Sequence, residues 1–441
     1  MSNSNNGQVM GAVMLVRHGD RLEFFQDPKS YDPQHTFITP LGTHLQFSLF
    51  SHETGSRINS SSPDLIQGIN TTIADTDQIT ARADAGGEGG VILTSSIAFL
   101  QGLYPPTRSF NEVLANGTNV TGALDGYQVF EAVSPTNDIS LEGWTMCGAF
   151  EDATTAFYNS APFQQKAKEN ADFLNSLKPF LDNRTINLEN MWNIFDFLNV
   201  RSIHDPIFAS RLPPSTLARA QDLANFHEHG VFTSPWLDGI GNIAGRTILP
   251  SILGGLADIA DPSNNLKILF QGLSYKPLIS LFNMTGVDLQ SAELAGIVNY
   301  AAAAILELRS SNNGPVLRLQ FKNGTQDNDF HTLNMFGTSG DLPLSTFVNK
   351  LSGVTINDTA TWCRVCHNTQ DRGCGDITLG AAQAIAAERL RPVGAGLLGA
   401  GMGVAFILIL IIFAYVLGFM RCRKKRQSSK KSVSSEVRKK C

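Results

Sequence analysis

The stretch VGAGLLGAGMGVAFILILIIFAYVLGFM, residues 393–420, runs for 28 residues without a charge. About 20 apolar residues in a helix suffice to cross the hydrocarbon core of a bilayer. A buried helix of a soluble domain normally keeps a polar stripe, and this stretch has none. It reads as a single transmembrane helix, so the rest of the chain must make sense as a protein divided by a membrane. Glycines at 394, 396, 399, 401 and 403 include the Gly399-x-x-x-Gly403 spacing that permits close pairing of such helices. RCRKKR follows at once, which places the tail (421–441) in the cytosol and residues 1–392 in an extracellular or luminal space. The opposite topology would require translocation of a strongly basic tail.

Charge divides along the same line. The tail holds ten Lys and Arg and one Glu, whereas residues 1–420 hold 24 basic and 38 acidic groups, a net of −14. A basic segment beside a bilayer meets the anionic lipids of the inner leaflet, while an acidic body disfavours nucleic acid as a partner. Eight Asn-x-Ser/Thr sequons fall in the body, at Asn59, Asn70, Asn116, Asn119, Asn183, Asn283, Asn323 and Asn357. Of the cysteines, Cys147, Cys363, Cys366 and Cys374 lie in the body and Cys422 and Cys441 in the tail. Four in an exported domain read as two disulfides with the connectivity open. WCRVCHNTQDRGC offers zinc ligands as an alternative, but adjacent Cys366 and His367 fit one tetrahedral ion poorly and a second pair is missing. No metal and no cofactor are expected. Cys422 suits palmitoylation, and Cys441 does not complete a prenylation box. The N-terminal MSNSNNGQVMGAVML lacks the form of a signal peptide, which leaves export to a signal missing from this sequence or to the C-terminal helix.

Within the body, residues 9–16 are apolar on both faces, as in a central strand of a covered parallel sheet. Helical spacing follows at Leu41, Leu45 and Leu49, and VILTSSIAFLQGLYPP (91–106) reads as a helix ending near Gly102. Helical signals dominate from Asp152 to His229. TILPSILGGLADIA (247–260) reads as a helix, KILFQG (267–272) as a buried strand, and YKPLISLFNMTG as a helix with Pro277 in its first turn. Residues 297–325 read as paired late strands. The pattern predicts an α/β core over about 8–110 and 230–385, a mainly parallel sheet flanked by helices, and a helical cap over about 111–229. Ligands in such sheets bind at the carboxyl ends of strands, and two ends stand out: VMLV before RHGDR and KILF before QGLSYKP.

RHGDR sets His18 between Arg17 and Arg21 where a buried strand breaks. A histidine can attack phosphorus and form a phosphohistidine that water hydrolyses. Negative charge spread over the transferring phosphoryl is stabilised by guanidinium groups, whose planar fork grips phosphate through paired hydrogen bonds. Gly19 is expected to let the backbone turn tightly beside the anion. VMLVRHGDR resembles the start of the histidine acid phosphatases, the phytase-like branch of the phosphoglycerate mutase-like superfamily. ITPLG resembles that family's LTxxG element, SSIAFLQGLYPP its SAxAFLxGLxPP helix, and PLSTFVNKL with WCRVC…C its C-terminal end. Spanning 9–374, the resemblance implies phosphomonoester hydrolysis through His18, with phosphate held by Arg17 and Arg21.

The resemblance also implies three losses. Val91 stands where the family carries a third phosphate arginine. Leu273 and Ser274 stand at its His-Asp pair, the histidine a phosphate ligand and the aspartate the proton donor to the leaving oxygen. Lys276 is a candidate replacement cation, and Glu23, Asp27 and Glu88 are candidate proton sources. His204-Asp205 is out of register and reads as a helix-ending turn before Pro206. Two functions follow: a phosphomonoesterase with an altered site, weakest on alkyl esters, or an inactive protein of the same fold that binds phosphate, a phosphorylated ligand or a protein partner.

Overall fold

A computed structural model describes residues 7–22, 36–51, 57–84, 90–133, 138–181 and 184–380. The apolar run 393–420, the basic tail, Glu23, Asp27, Glu88, Asn183, Cys422 and Cys441 lie outside them. The strands are β1 (Val9–Arg17), β2 (Ile79–Ala83), β3 (Asn111–Val113), β4 (Asn119–Thr121), β5 (Ala132–Val133), β6 (Ile268–Leu273), β7 (Ala303–Arg309), β8 (Val316–Lys322), β9 (His331–Leu333) and β10 (Leu342–Pro343). The main sheet runs β10-β8-β7-β1-β6-β2-β5, with β9 on β8.

Alternation along β1 explains its two covered faces. Val13 and Leu15 enter one core, and Ala12, Met14 and Val16 enter the other. In β6, Leu269 and Leu273 face the first core while Ile268 and Phe270 face the second. The second core is closed by the helices Pro40–Ser51 and Val91–Leu103. The first is closed by Ile243–Ala260 and by helices between Gly148 and Phe232, whose Phe150, Trp192 and Leu198 join it. One helical stretch among the described residues is long and apolar enough to cross a membrane, Ile240–Ala260. It is mostly buried, and Gly255 brings it so close to β6 that a Cβ would sit 2.5 Å from Leu269.

The sheet is mixed rather than mainly parallel. β1, β6, β2 and β5 are parallel neighbours, but β7 is antiparallel to β1 and β8 to β7. The short Ser310–Pro315 connection allows only an antiparallel return, since a parallel one needs a crossover of about a dozen residues or more. The late strand also starts later than its apolar pattern indicates. Residues 297–302 form a loop, with Ala301 at φ +59° in the left-handed region and its N–H donated to His18 O at 3.0 Å. Residues 111–121, expected in a helical cap, pair as the exposed hairpin β3–β4, turned at Asn116-Gly117 with Gly117 at φ +80°.

The body cysteines form two disulfides, Cys147–Cys366 and Cys363–Cys374, which leaves no thiolate there for zinc. Asn59, Asn70, Asn116, Asn119 and Asn357 are exposed. Asn323 is buried, its Nδ2 given to Glu293 Oε1, and Asn283 gives its Nδ2 to Asp288 at 3.0 Å. Within β7, fully buried Glu307 is held by Arg57 (Nε, 2.8 Å) and Arg309 (Nε, 2.9 Å), and Arg309 also meets Asp64 at 2.6 Å.

Candidate functional site

The Arg17–Arg21 loop leaves the sheet at its carboxyl edge, beside the end of β6. Arg17 is in register with Leu273, and His18 N–H donates to Leu273 O at 3.1 Å. Gly19 N–H donates to Ser95 Oγ at 3.0 Å, and Gln46 Nε2 donates to Arg17 O at 2.6 Å. A Cβ on Gly19 would lie 2.2 Å from Gly42 O, and one on Gly42 would lie 2.0 Å from Asp20 O. The glycines of RHGD and TPLG are therefore imposed by their mutual backbone approach, not by the tight turn expected at Gly19.

His18 is buried, with Nδ1 2.8 Å from Gly19 O. A carbonyl can only accept, so the proton sits on Nδ1 and the lone pair on Nε2, the form a nucleophile needs. Burial, then Arg17 and Arg21, hold the imidazole well below its ordinary value near 6.5. Two consequences can be measured. The ring stays neutral in mild acid, so any reaction carried by His18 should show no ionisation of it near pH 6.5. Below that pH the unfolded chain binds a proton that the folded chain refuses, so denaturant midpoints should fall as pH drops through this window.

Arg17 is buried, its Nη1 donated to Val298 O and its guanidinium packed over the rings of Tyr300 (4.4 Å) and Tyr275 (5.0 Å). Its Nε has no protein partner. Arg21 Nη1 is paired with Asp196 at 2.9–3.0 Å. Both arginines line a cavity of about 100 Å³ together with Asp196, Tyr275, Lys276 and Tyr300. His18 is not part of its wall; its ring lies 5.6 Å from that of Tyr300.

Val91 opens its helix as a buried apolar residue, and Leu273 is fully buried beside Arg17. Ser274 is buried with its Oγ lacking a partner. None of the three offers a charge. Lys276 does: buried at the cavity, its Nζ lies 5.2 Å from the Trp144 ring and 6.0 Å from that of Trp192. Asp205 caps the helix Pro206–Arg211, accepting from Ile207 and Phe208 N–H at 3.0 Å, and pairs with Arg201. Its neighbour His204 reaches the loop, with Nε2 2.7 Å from Asp20 Oδ2.

Sequence reasoning missed Asp196, Tyr275 and Tyr300. Tyr275 adjoins Ser274 and could have been found from that register, whereas Asp196 sits in a helix with no motif around it. Behind the cavity, Tyr275 shares a hydrogen bond with Glu228, which meets His227 Nδ1 at 2.8 Å, and His227 Nε2 meets Tyr158 Oη at 2.7 Å. Burial, then the Glu228 charge, pushes the Tyr275 phenol well above its ordinary value.

The structure is a mixed α/β sheet flanked by helices, with an Arg-His-Gly loop at the carboxyl end of its first strand, where such sheets bind ligands. No family model matches the chain. It is 23% identical over 364 residues to the lysosomal acid phosphatase of Pongo abelii, covering 81% of each chain. With the prostatic acid phosphatase of Mus musculus it shares 23% identity over 374 residues, covering 82% of this chain and 90% of that one. The Hafnia alvei phytase in complex with tartrate superposes with a TM-score of 0.57 at 15% identity, covering 81% of this chain and 99% of the phytase. The phytase of Citrobacter braakii gives 0.54 at 12% identity, covering 81% and 98%. Over about four-fifths of its length the chain is thus similar to lysosomal and prostatic acid phosphatases, and its fold is similar to that of the phytases.

Proposed function

We propose that the chain is a membrane-anchored phosphomonoesterase that passes its phosphoryl group through His18 and turns alkyl esters over slowly. The observation that carries this reading is the buried His18 ring, fixed through Nδ1 on Gly19 O and set in one loop with Arg17 and Arg21. In the first step Nε2 forms a bond to phosphorus as the ester P–O bond breaks, with the guanidinium groups stabilising the charge. In the second, water displaces the histidine and phosphate leaves. Val91 and Leu273 supply neither charge nor a proton, and the Ser274 hydroxyl does not replace a carboxyl acid. Loss of a positioned acid typically costs about 10²–10⁴ in rate. Aryl phosphates need least protonation of the leaving oxygen and should be the better substrates. Residues 393–420 would anchor the body outside the cytosol, with the basic tail on inner-leaflet lipids and glycans on the exposed sequons.

The test is covalent. Protein incubated with a labelled aryl phosphate and quenched should carry an acid-labile label, absent from His18→Ala. Turnover no greater than that of the alanine variant, with no label, would sink the enzyme reading.

A second reading has its own support: His18 is buried and not part of the cavity wall, and uncharged Leu273 lies beside Arg17. A protein that binds phosphate or a phosphorylated ligand without turnover would show saturable phosphate binding and no label.

A further inference from the structure

Asp196 projects from the helix Met191–His204 onto the loop that carries His18. Among the described residues it is the only carboxylate lining the cavity. The charged and titratable groups around it are Arg17, His18 and Arg21 of the loop, Tyr275 and Lys276 after β6, and Tyr300 before β7. Its oxygens lie against Arg21 Nη1, one of the two guanidinium groups that an entering phosphoryl group would meet at the cavity. A phosphoryl group taking this contact would stand beside the carboxylate on the same guanidinium, two anions at one contact. When like charges crowd one buried site, the ionised form of one is disfavoured and a proton is taken up.

We infer that Asp196 takes up a proton when a phosphate group binds, and that it gives this proton to the leaving oxygen in place of the acid missing at Ser274. This rests on the phosphate-handling reading of the same cavity. The sequence balances. Nε2 of His18 bonds to phosphorus as the P–O bond breaks, Asp196 protonates the departing oxygen, and the alcohol leaves. The Asp196 carboxylate then accepts a proton from the water that attacks the phosphohistidine, the P–N bond breaks, and inorganic phosphate is released. The cap helix thereby supplies from above what the family resemblance expects from the strand end.

Full-length protein titrated with sulfate, a tetrahedral dianion that binds no proton of its own near neutral pH, provides the test. Calorimetry in two buffers of different ionisation heat counts the protons taken up. The wild type should take up a large fraction of a proton per sulfate, Asp196→Asn clearly less, and Asp196→Glu should recover the uptake. Equal uptake by wild type and Asp196→Asn would overturn the inference while leaving the phosphate site standing. No sulfate binding by the wild type would overturn the site reading and this inference with it. In kinetics, Asp196→Asn should lose about 10²-fold more on an alkyl phosphate than on nitrophenyl phosphate. Equal loss on both removes the donor role.

Discussion

Arg17→Ala protein should bind phosphate about 10–10²-fold more weakly than the wild type, the usual scale for hydrogen bonds to a charged group. Three observations make Arg17 rather than Arg21 the main ligand. Its guanidinium is fixed under Tyr300 and Tyr275, so little order is lost when an anion arrives. Its Nε is buried without a protein partner, a cost that an anion could relieve. Arg21 already spends its charge on Asp196. Arg17→Lys should recover only part of the affinity, because an ammonium keeps the charge but loses the fork. Sulfate titration of Arg17→Ala, Arg17→Lys and Arg21→Ala gives the ranking. A larger loss at Arg21 than at Arg17 would reverse the assignment.

The half of the site that was legible in the sequence is the half built by contiguous residues. Apolar letters on both faces of 9–16 announced a covered strand, and RHGDR announced what breaks it. The family resemblance placed a lost charge at Leu273, and the structure sets that residue beside Arg17, with β1 and β6 as parallel neighbours. Asp196, Tyr300 and Glu228 were not legible. Each comes from a segment distant in the chain, and no periodicity reports which face of a helix meets a remote loop. Lys276 was named as a cation near this strand end, yet its burial among aromatic rings depends on Trp144 and Trp192, far from it in sequence. Gly19 shows a subtler limit. A glycine was expected for turning, but the fold uses it for contact with Gly42, which only tertiary packing reveals. The error in sheet direction has the same origin. Buried runs of β-branched and aliphatic residues look alike in parallel and antiparallel strands, and only the short return after Arg309 separates them.

The largest effect expected on folding lies beneath the site, at Glu307. This carboxylate is fully buried on β7, opposite Ala12 of β1, and its two oxygens are divided between Arg57 and Arg309. Arg309→Met should lower the unfolding free energy by about 3–5 kcal/mol, because removing one partner leaves a buried charge poorly compensated. Replacing Arg57, Glu307 and Arg309 together by apolar residues of similar volume should cost far less, since desolvation of all three charges disappears with them. The order of the two denaturation midpoints, single variant below triple, is the decisive measurement. A triple variant less stable than the single would mean that the ion cluster contributes net stability rather than specificity of pairing. Glu307 lies five residues up β1 from Arg17 by register, so sulfate affinity should survive in either variant while it remains folded. A loss of affinity in folded Arg309→Met protein would show that the cluster also sets the position of the loop at the other end of the strand.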